Sequence, residues 1–572
     1  MATTHLSRGS LTDVLNAVKS APLPDRRRQD LASAVRTVGR LLGRSLDEVA
    51  ADPRALAIKL KDIPFAAHRL SRGRWNNIRS LFRAALTLVR PMMPGRSLAP
   101  MSPTWAKLFA LLLTRSDRAR LSRLLRWLSA EGIEPEALTI AHLERFRVEL
   151  TTNCLLRNPD GTWADLVWGW NRSAARIAEW PKVTIVRVSR RQTYTRPWSA
   201  FPASLKADVD GWLGRLAGRD LSDDGPLRPA RPSTLATREY QLRAFASVLV
   251  LRGHPPDSVK TLADLVAYDA LCDGLKFFYE RNGRKSSSGL HGMATMLTSV
   301  ARHWVGCDEG TIKKIRDLAK RLAVPTTGLT QKNRERLRQF DDDNAARHLV
   351  DLPFRIRAEI TRHHHTGLRP AVRAQAAVAI AILLAAPIRR RNLASIEIGT
   401  HLLTVGRKRH LVFPDDEVKN RIDIEFELPD AVAELIDWYV AEHRPTLMRV
   451  PSDFLFPGAA GGQKSSHTLG LQIIGTVFQA TGLKVNAHLF RHIGAKLFLD
   501  QVPGAYEVVR RVLGHKKMDT TTNHYAGAET KAATRHFDDV VFGLRRDTAA
   551  PARRAPRAAT LPEQSARRWR GP

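Results

Sequence analysis

The chain has 572 residues, of which 91 are Lys or Arg and 56 are Asp or Glu, so its formal net charge at pH 7 is +35. With 43% hydrophobic and 26% charged residues, the composition is typical of globular protein and excludes a wholly disordered basic chain. So large an excess of positive charge predicts a polyanionic partner, and nucleic acid is the commonest one.

Several other classes of protein are disfavoured. The three cysteines, Cys154, Cys272 and Cys307, lie far apart and favour neither a disulfide framework nor a zinc site. The first ten residues contain no apolar segment typical of a signal peptide. The longest apolar run, residues 376–388, is shorter than the ~20 residues that a membrane-spanning helix needs. We therefore expect a cytoplasmic, nucleoid-associated protein with no membrane partner.

The first 186 residues predict two helical DNA-binding domains, 1–98 and 99–186. Each contains an apolar helix ending near a glycine, then an acidic residue four positions on and an aliphatic one six positions on. The pattern recurs once more, at Gly253, Asp257 and Val259. It indicates three related helical domains or a coincidence among helices. Basic runs such as 26–28 and 69–74 favour contact with DNA phosphates.

The middle and the end of the chain have different compositions. Residues 187–230 combine a basic stretch with several prolines and predict an inter-domain linker with a short helix near 205–216. Residues 231–345 predict a further helical domain. Residues 549–572, rich in Pro, Ala and Arg, predict a disordered basic tail.

Residues 346–548 predict a helical domain with one small antiparallel sheet, so the chain as a whole is mostly α with an α+β C-terminal domain. Alternating apolar and polar residues over 421–428 are typical of a half-buried strand. The other predicted elements are strands at 402–405 and 410–413 and helices at 374–386, 431–442, 468–481, 487–499 and 506–513.

Four separated segments of this domain contain polar groups that ordinary packing does not require. Arg389 opens a run of three arginines, and Lys419 lies in a turn before the alternating strand. His488 and Arg491 are three residues apart at the start of a helix, where Asn486 can act as a cap. The fourth segment contains Leu513-Gly514-His515 and then Tyr525.

These four segments, in this order, resemble the sequence motifs of the tyrosine recombinase (phage integrase) family. The resemblance covers about residues 350–546. It implies a catalytic domain at 346–548 and a core-binding domain at 231–345 that clamps double-stranded DNA. It also implies a homo-multimer, four protomers on a pair of DNA sites, with residues 528–544 docking on a neighbour. Accessory DNA-binding domains ahead of the clamp are common in the family.

The resemblance also implies a role for each site residue. Tyr525 would attack the scissile phosphate and form a 3′-phosphotyrosyl bond, while Arg389 and Arg491 hold the non-bridging oxygens. Lys419 would protonate the 5′ oxygen, His488 would accept the tyrosine proton, and His515 would bind the phosphate.

Elementary chemistry agrees with these roles. Cutting a phosphodiester without a metal requires a nucleophile, cations that stabilise the pentacoordinate phosphorus, and an acid for the leaving oxygen. We therefore expect no cofactor and no metal. Integration, excision or transposition of a mobile element is the expected role, with accessory proteins as further partners.

Alternatives exist for several residues. Arg390 or Arg391 is an alternative to Arg389, and Lys408 is one to Lys419. Residues 366–369 match the start of the family's first arginine motif, the one to which Arg389 is assigned. We expect Pro370 to disturb the helix that this motif needs. Consecutive histidines at 363–365 favour a solvated or DNA-facing cluster over a metal site.

Two other functions fit the same sequence. One is a relaxing enzyme of the type IB topoisomerase kind, which shares the phosphotyrosyl chemistry. The other is a DNA-binding accessory protein of recombination with little catalysis.

Overall fold

The computed structural model describes residues 9–90, 92, 100–156, 158–186, 194–218, 229–324, 328–525, 534 and 537–542. It divides into two compact units, one formed by Met1–Ile185 with Thr327–Pro572 and the other by Val186–Thr326. The predicted basic tail, 549–572, lies outside the described residues. The fold class predicted from the sequence is confirmed, because helices predominate and the described strands form one small antiparallel sheet.

The N-terminal part of the first unit contains two hydrophobic clusters, each built from four helices. The first cluster, with Val35 and Phe82 at its centre, is formed by α1 (Leu11–Ser20), α2 (Asp25–Leu42), α3 (Pro53–Lys61) and α4 (Arg72–Leu86). The second, with Phe146 and Trp170 at its centre, is formed by α5 (Pro103–Ala110), α6 (Arg115–Ala130), α7 (Ile140–Thr152) and α8 (Pro159–Arg176). The proposed boundary at residue 98 falls between them and stays a prediction.

The second unit is a helical bundle. Its helices are α9 (Ala203–Leu216), α10 (Pro232–Leu251), α11 (Leu262–Val266), α12 (Tyr268–Arg281), α13 (Ser288–Val300) and α14 (Glu309–Arg321). Helix α9 lies in the predicted linker, but its Leu205, Val209 and Trp212 are buried in the bundle core. A helix whose apolar face is buried cannot be a free connection, so this part of 187–230 belongs to the bundle. Residues 187–193 and 219–228, with the basic stretch and several of the prolines, lie outside the described residues.

The C-terminal region of the first unit begins with one helix that the sequence placed in the preceding domain and a second that crosses the predicted boundary at residue 346. Leu337 at the end of α15 (Gln331–Leu337) and Leu349 in α16 (Asp343–Val350) are buried in the core of this region. The remaining helices before the sheet are α17 (Leu352–Arg362), α18 (Leu368–Ala385) and α19 (Arg390–Ala394). Apolar burial therefore extends this region upstream of residue 346.

The sheet has the order β1-β2-β3, with β1 (Leu402–Val405), β2 (Lys408–Phe413) and β3 (Ile424–Leu428) antiparallel. In the central strand Leu411 lies opposite Leu402 and Phe426. The last strand begins later than the predicted 421–428, because Arg421 has a positive φ of 48° and belongs to the preceding turn. The sheet is followed by α20 (Asp430–Trp438), α21 (Arg444–Leu447), α22 (Ser466–Thr481), α23 (Leu489–Gln501), α24 (Tyr506–Leu513) and α25 (Met518–Tyr525).

Helix α18 is the central helix of this region. Most of its residues from Ala374 to Leu383 are fully buried. In length and composition alone it would pass as a membrane span, although most of it is covered by the surrounding protein, as in the core helix of a globular domain. The expectation for Pro370 was wrong: it lies in the first turn of α18, where the missing N–H breaks no helical hydrogen bond, and the helix continues through it.

Truncating α18 in the core should destabilise this region strongly. We expect Ile382→Ala to lower the free energy of unfolding by about 2–5 kcal/mol, because the side chain is fully buried and its removal leaves a cavity. Leu368→Ala, at an exposed position of the same helix, is the matched control and should have little effect. Hydrogen exchange of the α18 amides measures both, and equal protection in the two variants would contradict the assigned packing.

Candidate active site

The start of α23 places His488 and Arg491 within one helical turn. Asn486 Oδ1 accepts the backbone N–H groups of His488 and Leu489, each at 3.0 Å. This satisfies N–H groups that have no partner within the helix, so the sequence prediction of a cap is confirmed. His488 is exposed at the helix start, whereas Arg491 points into the protein and is only 5% exposed.

Arg491 connects three segments of the chain. Its Nη1 donates to the carbonyl of Pro387, just after α18, and its Nη2 donates to the carbonyl of Leu513, the last residue of α24. A cation at the carbonyl end of a helix is favourable, because those carbonyls have no intrahelical partner. Both contacts fix the plane of the guanidinium group.

Arg389 lies beside Arg491. It precedes α19, and its carbonyl accepts the N–H of Leu393 at 2.9 Å. Burial and, to a smaller extent, the charge of Arg389 lower the pKa of Arg491 to about 10, and Tyr525 partly opposes them. A guanidinium with that pKa is still cationic at neutral pH, so two positive charges face one small volume. Such a pair is suited to bind a phosphate.

The other two arginines of the run are exposed. Arg390 lies along α22, with its Cδ close to Gly470. Asn392, which follows the three arginines, is 5% exposed, and its Nδ2 donates to the carbonyl of Glu417 at 3.4 Å. Since it is the charge of Arg389 that affects Arg491, the structure favours Arg389 over its two neighbours.

Tyr525, at the end of α25, is 1% exposed and lies against Leu499, Val509 and Leu513. Its hydroxyl is 2.7 Å from Nδ1 of His492, which is also buried. Burial raises the pKa of the phenol, and the charge of Arg491 partly opposes that effect. The structure thus brings Tyr525, Arg491 and Arg389 together.

His515 follows the left-handed residue Gly514, which ends α24 with a φ of 60°. Its Nδ1 is 2.9 Å from Thr521 Oγ1, and Thr521 is fully buried. Thr521 and Tyr525 are four residues apart and therefore share one face of α25. Helix α25 consequently presents one side chain to His515 and another to His492.

The turn that contains Lys419 is tied to the same place. Asn420 Nδ2 donates to the carbonyl of Gly514 at 2.7 Å. Lys419 itself is exposed. The alternative, Lys408, forms ion pairs with Asp430 at 3.0 Å and Glu427 at 3.7 Å, and the bond to Asp430 raises its pKa. The structure therefore favours Lys419, whose neighbour is bonded next to His515.

Sequence reasoning missed His492, Asn420 and Thr521. His492 could have been found, because it follows Arg491 directly and lies four residues after His488, one helical turn away. Asn420 bonds to Gly514, which is 94 residues away, and local spacing does not reveal such a contact. Thr521 lies only six residues after His515, but their contact depends on the turn between α24 and α25. Arg369, in the second possible arginine motif, is exposed. The rings of His363 and His365 stack on the surface with 5.3 Å between their centroids. Within the described residues no group of three His, Cys, Asp or Glu side chains is placed to hold a metal ion.

Comparisons with known proteins add a likeness in fold. No protein-family model and no curated protein matches the sequence. A structure of XerA recombinase is similar over 57% of this chain and 98% of its own, with 15% identity and a TM-score of 0.25. A lambda integrase (75–356) dimer bound to a COC′ core site covers 55% and 96%, with 16% identity and a TM-score of 0.33. The Tn1549 transposon integrase (82–397) with circular intermediate DNA covers 58% and 99%, with 14% identity and a TM-score of 0.35.

The bond between Asn420 and Gly514 should hold the Lys419 turn in place. We expect Asn420→Ala to speed hydrogen exchange of the backbone amides from Gly514 to Thr521, because a hydrogen bond worth roughly 1 kcal/mol is lost. Lys419→Ala is the matched control, since it removes an exposed neighbouring side chain and should leave exchange there unchanged. Identical exchange in both variants would rule out this coupling.

Proposed function

We propose that this protein is a site-specific DNA recombinase that cuts and rejoins DNA through a 3′-phosphotyrosyl intermediate. The observation that carries the proposal is the placement of the Tyr525 hydroxyl beside His492 and next to the charge of Arg491, which in turn lies beside Arg389. A phenol beside a histidine and a pair of neighbouring guanidinium groups supplies the nucleophile and the cations that attack on a phosphodiester requires.

Arg389 and Arg491 would bind the scissile phosphate. A guanidinium group has five N–H donors, and Arg491 uses Nη1 and Nη2 for the carbonyls of Pro387 and Leu513, so it retains donors for a non-bridging oxygen. Because these carbonyls already orient Arg491, the group needs little reorganisation when negative charge develops on the phosphate. Arg389 contributes the second cation.

The chemical step is an exchange of phosphate esters. Oη of Tyr525 gives its proton to a histidine and forms a bond to phosphorus, the bond from phosphorus to the 5′ oxygen breaks, and Lys419 gives a proton to that oxygen. His515, fixed by Thr521, donates a hydrogen bond to the phosphate. Attack by a 5′ hydroxyl of the partner duplex reverses these steps and needs no ATP, because the tyrosyl ester conserves the phosphodiester bond energy.

Double-stranded DNA and other copies of the chain are the proposed partners. The net charge of +35 supports the DNA partner, with the N-terminal helical clusters and the helical bundle as DNA-binding domains.

Residues 537–542 are helical, and Phe537 and Phe542 are 65% and 60% exposed. This exposed apolar surface supports docking of the segment 528–544 on a neighbouring protomer of a tetramer, although most of the segment lies outside the described residues. The proposed role is the integration, excision or transposition of a mobile genetic element, and the proposed location is the cytoplasm.

Tyr525→Phe tests the nucleophile. We expect the wild type to form a covalent protein–DNA complex on a nicked suicide duplex drawn from the DNA that flanks its own gene, and we expect the variant to form none, because it lacks Oη. Denaturing gel electrophoresis measures the complex. Equal trapping by the variant would eliminate Tyr525, and efficient relaxation of supercoiled DNA without a specific site would favour a topoisomerase instead.

Arg389→Ala should lower the rate of that trapping by about 10²–10³-fold, the typical cost of removing one group that stabilises a developing negative charge. Its control is Arg391→Ala, which removes an exposed arginine of the same run and should cleave normally. Both variants should bind DNA much as the wild type does, because the basic charge is spread over the whole chain. A larger loss in Arg391→Ala than in Arg389→Ala would transfer the phosphate contact to the neighbouring arginine.

A further inference from the structure

His492 lies outside the set of residues that the family resemblance implies, yet it contacts the atom that would react. Its Nδ1 is 2.7 Å from Tyr525 Oη, and the two rings are 5.6 Å apart, inclined at 54°. Because His492 is 8% exposed and Tyr525 is 1% exposed, bulk water has little access to the pair. With its own proton on Nε2, the imidazole accepts a hydrogen bond from the phenol through Nδ1.

A buried phenol needs a base before it can attack. Burial raises the pKa of Tyr525, so the hydroxyl stays protonated at neutral pH. The proton must leave as the bond to phosphorus forms, and an acceptor within hydrogen-bond reach makes that transfer efficient. Arg491 stabilises the phenolate once it forms, since its charge favours the anion.

The other two histidines of the site are placed for different tasks. Nδ1 of His515 contacts Oγ1 of Thr521, which lies four residues before Tyr525 on α25. His488 is exposed, and its ring is perpendicular to that of His492 at a distance of 5.2 Å between centroids. His488, the base expected from the resemblance, is therefore in edge-to-face contact with His492, which in turn contacts Oη.

We propose that His492 is a catalytic residue and the general base for Tyr525. When Oη attacks, the O–H bond breaks, the proton passes to Nδ1 of His492, and the electron pair of that bond remains on Oη as it bonds to phosphorus. The proton for the leaving 5′ oxygen comes from the separate acid, Lys419. In religation His492 returns its proton to Oη. This inference rests on the proposed function.

The test uses the full-length chain and the nicked suicide duplex described above. His492→Asn keeps a polar group near Oη but is no base at neutral pH, and we expect it to form covalent complex about 10²–10⁴-fold more slowly while binding DNA as before. His443→Asn is the matched control, because His443 is also a buried histidine of this region, packed against Trp438 at 4.5 Å between ring centroids. It should cleave at the wild-type rate.

A second substrate separates base from acid. A duplex with a sulfur in place of the bridging 5′ oxygen has a leaving group that needs no proton. We expect it to restore cleavage by Lys419→Ala and to leave His492→Asn slow. Added imidazole should restore part of the activity of His492→Ala, which a loss of folding would not allow.

The outcomes distinguish the two proposals. If the wild type forms no complex through Tyr525, both are overturned. If the wild type forms the complex but His492→Asn cleaves at the same rate or faster, or the sulfur substrate restores that variant, the role of His492 alone is overturned. In the case of faster cleavage, His492 would act as a restraint on the tyrosine.

Discussion

The site depends on one buried cation. Arg491 is held by the carbonyls of Pro387 and Leu513, so its side chain joins the end of α18, the start of α23 and the end of α24. A guanidinium group removed from water must find such partners, or its burial would be too costly. The same contacts place it beside Arg389 and Tyr525. The packing of these helices and the proposed chemistry therefore rely on the same side chain.

The surroundings of Arg491 explain why the remaining groups are divided between buried and exposed positions. Tyr525 and His492 share an apolar pocket formed by α23, α24 and α25, where a hydrogen bond is strong and water is excluded. Lys419 and His488 are exposed, on the surface that DNA would cover in the proposed complex. Two hydrogen bonds, from Asn420 to Gly514 and between His515 and Thr521, link the exposed turn to the buried pocket.

The sequence was sufficient to predict the fold class, because the helical and strand periods are local signals, and the order of its motifs selected the candidate site residues. It failed where the deciding contact is between distant segments. Nothing in the composition of 205–216 shows that Trp212 is buried in a bundle, and nothing near residue 420 indicates a bond to Gly514. Pro370 was misjudged because its effect depends on where the helix begins. His492 was overlooked although its spacing from His488 was visible.

The central claim is that Tyr525 becomes covalently joined to DNA. It is tested most directly by trapping the full-length protein on the suicide duplex, digesting protein and DNA, and locating the modified residue by mass spectrometry. We expect a nucleotide attached through a 3′ phosphate to the peptide that contains Tyr525. Attachment at any other residue, or through a 5′ phosphate, would contradict it.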